Sequence, residues 1–197
     1  MSSTSDPQYA ERLASLERVW WKQVVPDPYR WFLRRQHLGF VLDVGCGIGR
    51  GLRYLDGNGV GVDHSEASVA SCRAQGLTAF TPGEFSASEH ARPGRFDALV
   101  CSHVLEHLTA PEQHELLDTY LPFVRADGRV VLITPQERGQ ASDATHASFV
   151  DSDRLRALAD RFGLVGAPRS FPLPRIAGKA FRYNEFVLVA SRSGVAS

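Results

Sequence analysis

The sequence predicts an α/β domain built on a parallel sheet with helices on both faces. Three observations carry the prediction. Short apolar runs of strand length alternate with segments of helical period, an order that fits a parallel sheet covered on both sides. A glycine loop, Gly45-Cys46-Gly47-Ile48-Gly49, follows the first of those runs and precedes a helix. An acid, Asp63, ends the second run, 20 residues after Asp43 in the first.

Taken in order, residues 10–38 read as a helical preamble rich in Trp and Arg and broken at Pro26-Asp27-Pro28. Residues 1–38 are expected to form this preamble, as a lid or as plain packing, with the domain proper spanning residues 39–197. Phe40 to Val44 is a short buried-type strand, and a helix follows the glycine loop from Arg50 to about Leu55. Val60 to Asp63 is the second strand, and Glu66 to Gln75 a helix stopped by Gly76. Thr78 to Phe80 reads as a third strand, and Phe96 to Cys101 as a fourth after the turn Pro93-Gly94. Thr109-x-x-Glu112, with Pro111 between, starts a helix that runs through Leu121. Asp127-Gly128 reads as a turn before a fifth strand, Val130 to Ile133. Leu155, Leu158, Ala159 and Phe162 fall at i, i+3, i+4 and i+7 of an amphipathic helix closed by Gly163. Phe186 to Ala190 is a final apolar strand.

Composition narrows the function classes. The 197 residues, 43% hydrophobic and 22% charged, suit one domain with a sizeable core. Twenty-two basic residues balance twenty-two acidic ones, so net charge gives no reason to expect a nucleic-acid partner. All basic residues but Lys22 and Lys179 are Arg, which reads as coding bias more than as phosphate recognition. Cys46, Cys72 and Cys101 are odd in number and contain no CxxC pair, so neither a disulfide framework nor a zinc ribbon is expected. Met1 to Tyr9 is polar and lacks the apolar centre of a signal peptide. No run reaches the roughly 18 apolar residues of a membrane span. The expectation is a cytoplasmic protein without membrane insertion, as a monomer or homodimer.

Glycine lets the loop turn sharply and lets a ligand approach backbone N–H groups closely. Asp63, at the end of the second strand, stands where a carboxylate can accept both hydroxyls of an adenosine ribose. A dinucleotide site would want a small residue at the last fingerprint position, where this chain has Arg50. Asp43 fits the other cofactor of this plan, S-adenosylmethionine, whose amino-acid end carries an ammonium and no pyrophosphate. The bland alternative is that the glycines form a plain turn.

Three segments in chain order then carry a family resemblance. Val41-Leu42-Asp43-Val44-Gly45-Cys46-Gly47-Ile48-Gly49-Arg50 resembles the first motif of class I S-adenosylmethionine-dependent methyltransferases. Phe96-Asp97-Ala98-Leu99-Val100 followed by His103-Val104-Leu105-Glu106-His107-Leu108 resembles their fourth-strand segment. Asp127-Gly128-Arg129 through Ile133-Thr134-Pro135 resembles their "pGG" turn and fifth strand, with Arg129 in place of the second glycine. Thr145-His146, with Phe149 and Leu155, is similar to a segment of the ubiquinone-biosynthesis O-methyltransferase branch, and the tail from Phe171 to Phe186 resembles stand-alone bacterial members. The resemblance covers roughly residues 38–190. It implies a Rossmann-like, doubly wound sheet of seven strands, the last antiparallel, binding S-adenosylmethionine and releasing S-adenosylhomocysteine.

By the same resemblance Asp43, Gly45, Cys46, Gly47 and Gly49 hold the amino-acid end of the cofactor, and Asp63 and His64 the ribose and adenine side. Glu84 and Phe85 are expected near the adenine, and Ser102 and His103 beside the cofactor. Core packing is the equal alternative for Phe85. The acceptor is a small molecule, more often a hydroxyl than nitrogen or carbon. Its proton needs a base, a task suited to histidine near neutral pH. His146 is the first choice, with His103 and His107 as alternatives and Glu106 beside them. A purely structural role is as common for any one of these residues. His103-x-x-Glu106-His107 also fits a zinc-peptidase signature. That reading needs both histidines on one helical face, whereas the motif follows directly on a strand, so no metal site is assigned. Trp20, Trp21 and Trp31 would line an acceptor lid or pack the preamble. Asn184 and Glu185, polar residues entering a buried strand, read as structural pairs. The rival readings are a non-catalytic cofactor-binding or scaffold protein on this fold and, less favoured, a nicotinamide-dependent oxidoreductase.

Overall fold

A computed structural model describes residues 28–143 and 145–192. Trp20, Trp21 and most of the expected preamble lie outside the described residues. The chain divides after Ala91 into two compact units. Its strands form a seven-stranded sheet in the order β3-β2-β1-β4-β5-β7-β6.

The first unit contains α1 (Pro28–Arg35), β1 (Val41–Val44), α2 (Arg50–Tyr54), β2 (Gly59–Val62), α3 (Glu66–Ala74), β3 (Ala79–Phe80) and α4 (Pro82–Ala87). β1 and β2 pair in parallel from Val41 opposite Gly59 to Val44 opposite Val62, and β2 pairs in parallel with β3. Every residue of β1 and β2 is buried, the signature of strands covered on both faces. A Cβ on Gly61 would stand 2.6 Å from Cys46 Sγ and 3.1 Å from Leu52 Cδ1, so that glycine lets the loop and α2 press directly on β2. α1 buries Phe32 and Leu33 but leaves Trp31 57% exposed, with the Arg35 guanidinium 4.8 Å over its ring. α4, not read from the sequence, starts with a capping box in which Thr81 and Glu84 satisfy each other's backbone N–H groups.

The second unit contains β4 (Phe96–Ser102), a 3₁₀ turn (Leu105–His107), α5 (Ala110–Tyr120), β5 (Val124–Pro135), α6 (Glu137–Gln140), α7 (Ser152–Arg161), β6 (Leu164–Phe171) and β7 (Glu185–Arg192). Thr109 and Glu112 form the expected capping box of α5. α7 buries Leu155, Leu158 and Ala159 as its period requires. β4 and β5 are parallel, and β7 runs antiparallel to both of its neighbours, β5 and β6.

One expectation needs correction here, and one strand carries no local signal. Asp127-Gly128 is not a turn between elements but a bulge within a long β5. Phe96 faces Val124 whereas Ala98 already faces Arg129, so the extra residues loop out of register. A Cβ on Gly128 would lie 2.4 Å from Val124 Cγ1 and 2.9 Å from Asp97 O, which explains the glycine. The segment Leu164–Phe171, which gave no strand signal, is β6. It holds Gly166 and Pro168, residues that depress strand propensity, and it stands at the end of the strand order where an edge tolerates proline.

Candidate functional site

In the first unit the glycine loop is built on β1 and closed by the end of β2. Gly45, Gly47 and Gly49 have φ of 73°, 52° and 80°, a left-handed region that a side chain would strain. The N–H groups of Gly45 and Cys46 donate to Val62 O at 2.8 and 3.2 Å, folding the loop across β2. Asp63 fastens it: Oδ2 accepts from Gly47 N–H at 2.8 Å and Oδ1 from Ser65 N–H at 2.9 Å. His64 is exposed beside it, its Nδ1 3.7 Å from Asp63 Oδ1.

Asp43 is buried at the foot of the loop. Its Oδ2 lies 2.6 Å from where a Cβ on Gly51 would stand, so only glycine in the first turn of α2 makes room for it. Burial first, and the nearby Asp63 second, push the Asp43 carboxyl up to about 7, with Arg50 pulling weakly the other way. A buried acid so poised gains most from a cation placed against it.

Cys46 is buried and packs with Val69, Cys72 and Ala79. Its thiol is pushed up by the hydrogen bond with Cys72, and then by burial. The Cys72 thiol lies 3.2 Å from Gly47 O and supports the loop from beneath. Glu84 and Phe85, expected beside the adenine, both lie in α4. Glu84 caps α4 and bonds Arg73 at 2.9 Å, and its carboxyl is held down at about 2, chiefly by the Thr81 N–H and then by Arg73. Phe85 is 1% exposed, in the core.

The second unit carries a histidine–carboxylate cluster where β4 and β5 end. Ser102 is the last residue of β4, and His103 N–H extends the ladder to Ile133 O at 2.9 Å. His103 then turns into left-handed backbone, φ 58°. Its Nδ1 stands 3.2 Å from Glu106 Oε1 and its Nε2 2.9 Å from Glu185 Oε1. Both carboxylates are buried. This geometry leaves the zinc-peptidase arrangement unformed, because His103 is directed to Glu185 and is not on a helix with His107.

Glu106 O accepts from Ala147 N–H at 2.8 Å and from Ser148 N–H at 3.0 Å, which draws His146 back against the 3₁₀ turn. The His107 and His146 rings meet edge to face, 4.8 Å between centroids. His146 Nδ1 lies 2.9 Å from Gln140 O, and His107 Nδ1 lies 3.3 Å from Thr145 O and 3.2 Å from Thr145 Oγ1.

Glu185, read from the sequence with Asn184 as a structural pair, is the second carboxylate against His103. It opens β7 opposite Pro135, and a buried amide network sets its place. Gln136 Nε2 donates to Glu185 O at 2.8 Å and to Ser170 Oγ at 2.9 Å, and Asn184 Nδ2 donates to Gln136 Oε1 at 3.0 Å.

A glycine loop answered by an acid at the end of the next strand, in this strand order, defines an α/β fold of the nucleoside-cofactor-binding class. Comparison with known proteins makes this specific. Residues 23–167 match the methyltransferase domain family, and the chain belongs to that family, among the class I S-adenosylmethionine-dependent methyltransferases. It is 30% identical over 133 residues to the ubiquinone biosynthesis O-methyltransferase of Azoarcus sp. (strain BH72). That match takes in 57% of this chain and 56% of the relative, so the chain spans little more than half its length. Its fold is similar to a SAM-dependent methyltransferase of Archaeoglobus fulgidus (TM-score 0.67, 18% identity, covering 83% of this chain and 92% of that one). It is also similar to the magnesium protoporphyrin IX methyltransferase of Synechocystis PCC 6803 with bound SAM (TM-score 0.59, 17% identity, covering 96% and 81%). Among the described residues no helix is long and apolar enough to cross a membrane.

Proposed function

We propose that the chain transfers the methyl group of S-adenosylmethionine to a hydroxyl oxygen of a small molecule. The observation that carries the reading is the left-handed glycine loop fastened to Asp63 with buried Asp43 at its foot. In this reading Asp43 faces the cofactor's ammonium and Asp63 its ribose hydroxyls. The name of the Azoarcus relative supports oxygen as the atom methylated.

The reaction is an in-line displacement, so orientation of donor and acceptor supplies much of the rate. The methyl donor is assigned to the first unit and the acceptor's proton to the cluster of the second. His146 is the first choice of base, because its Nδ1 must donate to the Gln140 carbonyl, which leaves the Nε2 lone pair open.

Calorimetric titration of the wild-type protein with S-adenosylmethionine and S-adenosylhomocysteine tests the cofactor, and transfer of a labelled methyl to a panel of phenols, sugars and carboxylates tests the acceptor. Binding of both cofactor forms with turnover on a hydroxyl compound is expected. A folded protein that binds neither overturns the reading, and turnover confined to amines or carbon acids overturns its oxygen part. Asp63→Ala is a poor first variant, since Asp63 also ties down Gly47 and Ser65.

A further inference from the structure

We infer that Glu106, His107 and His146 form a binding site for one divalent first-row transition ion of the zinc class. A carboxylate oxygen and one nitrogen from each ring lie within 4.8 Å of one another. Two imidazoles and one carboxylate are a donor set suited to such ions, with coordination positions left for water or substrate.

Three further features point to a ligand. Glu106 is fully buried, and while its Oε1 meets His103, its Oε2 has no hydrogen-bond partner. A buried carboxylate oxygen left unpaired costs free energy that a cation recovers. The second feature is tautomer control. A carbonyl oxygen only accepts, so His146 Nδ1 carries the proton given to Gln140 O, and its Nε2 presents a lone pair. Thr145 Oγ1 donates to Asp143 Oδ1 at 2.7 Å and therefore accepts from His107 Nδ1, which leaves that ring's Nε2 open as well. Fixing the remote ring nitrogen of each ligand on an oxygen is what orients histidines for a metal. The third is backbone fastening, since two amides following His146 donate to Glu106 O and hold the ligands in one turn of structure. Metal–ligand bonds of ~2.0–2.2 Å bring donor atoms to within about 4 Å of each other, so the three donors would close in slightly on an ion.

The ion's part in catalysis rests on the hydroxyl-methylation reading, whereas its binding does not. Bound to the ion, the acceptor hydroxyl loses its proton to solvent water at lower pH. The resulting oxyanion forms the O–C bond while the sulfonium C–S bond breaks and its electron pair returns to sulfur, giving S-adenosylhomocysteine. His146 is then a ligand and the ion takes over the task of the base.

The test is titration of chelator-treated protein with Zn²⁺ by calorimetry and with Co²⁺ by visible absorption. One equivalent is expected to bind, with Co²⁺ giving the intense bands of low coordination number. His146→Ala and Glu106→Gln should each weaken binding at least about ten-fold, and Thr145→Val, which removes the oxygen behind His107, about ten-fold or more. His114→Ala, a surface control, should leave it unchanged. Circular dichroism checks folding, and the half-buried His146 serves if the Glu106 variant does not fold. Absence of binding, or equal binding by wild type, His146→Ala and Glu106→Gln, overturns the proposal. Chelation should abolish turnover on a phenol without changing S-adenosylmethionine affinity. Metal binding without cofactor binding would remove the methyl-transfer reading alone, and cofactor binding without metal binding would remove this inference alone.

Discussion

Asp43→Asn should stabilise the protein while weakening its grip on the cofactor, and the stabilisation should depend on pH. The Asp43 carboxyl is raised from 3.8 to about 7, burial being the largest cause. At 1.36 kcal/mol for each pKa unit, holding it ionised in the folded state costs on the order of 4 kcal/mol. The direction follows from proton counting. Between 3.8 and about 7 the folded chain keeps a proton that the unfolded chain has released, so this group's contribution is most favourable below 3.8 and is lost as pH rises toward 7. Asparagine has nearly the same shape and no such slope. The variant's advantage should therefore be near zero at about pH 3, about 2 kcal/mol at pH 5 and about 4 kcal/mol from pH 7 upward. Urea denaturation of both proteins at pH 5 and pH 8 measures the difference. An equal gain at both pH values, or none at pH 8, would refute the argument that buried charge is the cost. The counterpart is functional: an amide in place of the carboxylate should weaken S-adenosylmethionine binding by ten-fold or more.

The same carboxyl should make cofactor affinity pH-dependent. An ammonium favours ionised Asp43, so affinity should fall up to about ten-fold per unit as pH drops below about 7, read by calorimetry in buffers of different ionisation enthalpy. Gly51→Ala puts a Cβ 2.6 Å from Asp43 Oδ2, so the carboxylate must move. Cofactor affinity should drop about ten-fold with little loss of thermal stability, because alanine favours a helix over glycine by about 1 kcal/mol. Thr109→Ala removes the cap of α5 and should cost about 1 kcal/mol, seen as a melting temperature lower by roughly 2–4 °C with turnover unchanged.

The elements that sequence reasoning found are those whose local pattern and tertiary role agree. β1 and β2 are short apolar runs because both faces are covered, and the Thr109–Glu112 box announces α5 because its cap is made by residues three apart. What escaped was decided at longer range. β6 carries Pro168 and Gly166 and is a strand because β7 offers it a partner, from Leu164 opposite Arg192 to Phe171 opposite Glu185. Gly128 reads as a turn residue, yet it relieves a clash with Asp97 O inside a bulge, which only the pairing with β4 could reveal. In the loop the same contrast holds: Gly45, Gly47 and Gly49 are legible as left-handed positions. That Asp63 is hydrogen-bonded back to Gly47, 16 residues away, is not. Glu84 shows the converse, since the Thr-x-x-Glu pattern at residues 81–84 is legible and marks the local cap of α4.

The burial of carboxylates separates what this chain needs for folding from what it needs for chemistry. Among the described residues four acids are buried, Asp43, Asp63, Glu106 and Glu185, and no lysine or arginine is buried with them. A chain selected only for stability would place apolar residues there, because an ionised group taken from water without a fixed counter-charge is costly. Asp43 lies within β1 and Asp63 directly follows β2, while Glu106 follows β4 and Glu185 enters β7 beside the last residue of β5. Ligands of open α/β sheets bind outside the carboxyl ends of the parallel strands, where Asp63 and Glu106 follow them and Glu185 enters beside one. On the readings proposed above an ammonium would supply the charge facing Asp43 and a metal ion that facing Glu106, whereas Asp63 accepts from two backbone N–H groups and Glu185 meets His103. Neutralising Asp43 should on this argument raise stability and lower activity together, which sets it apart from core positions such as Leu42 or Leu132, where truncation lowers both.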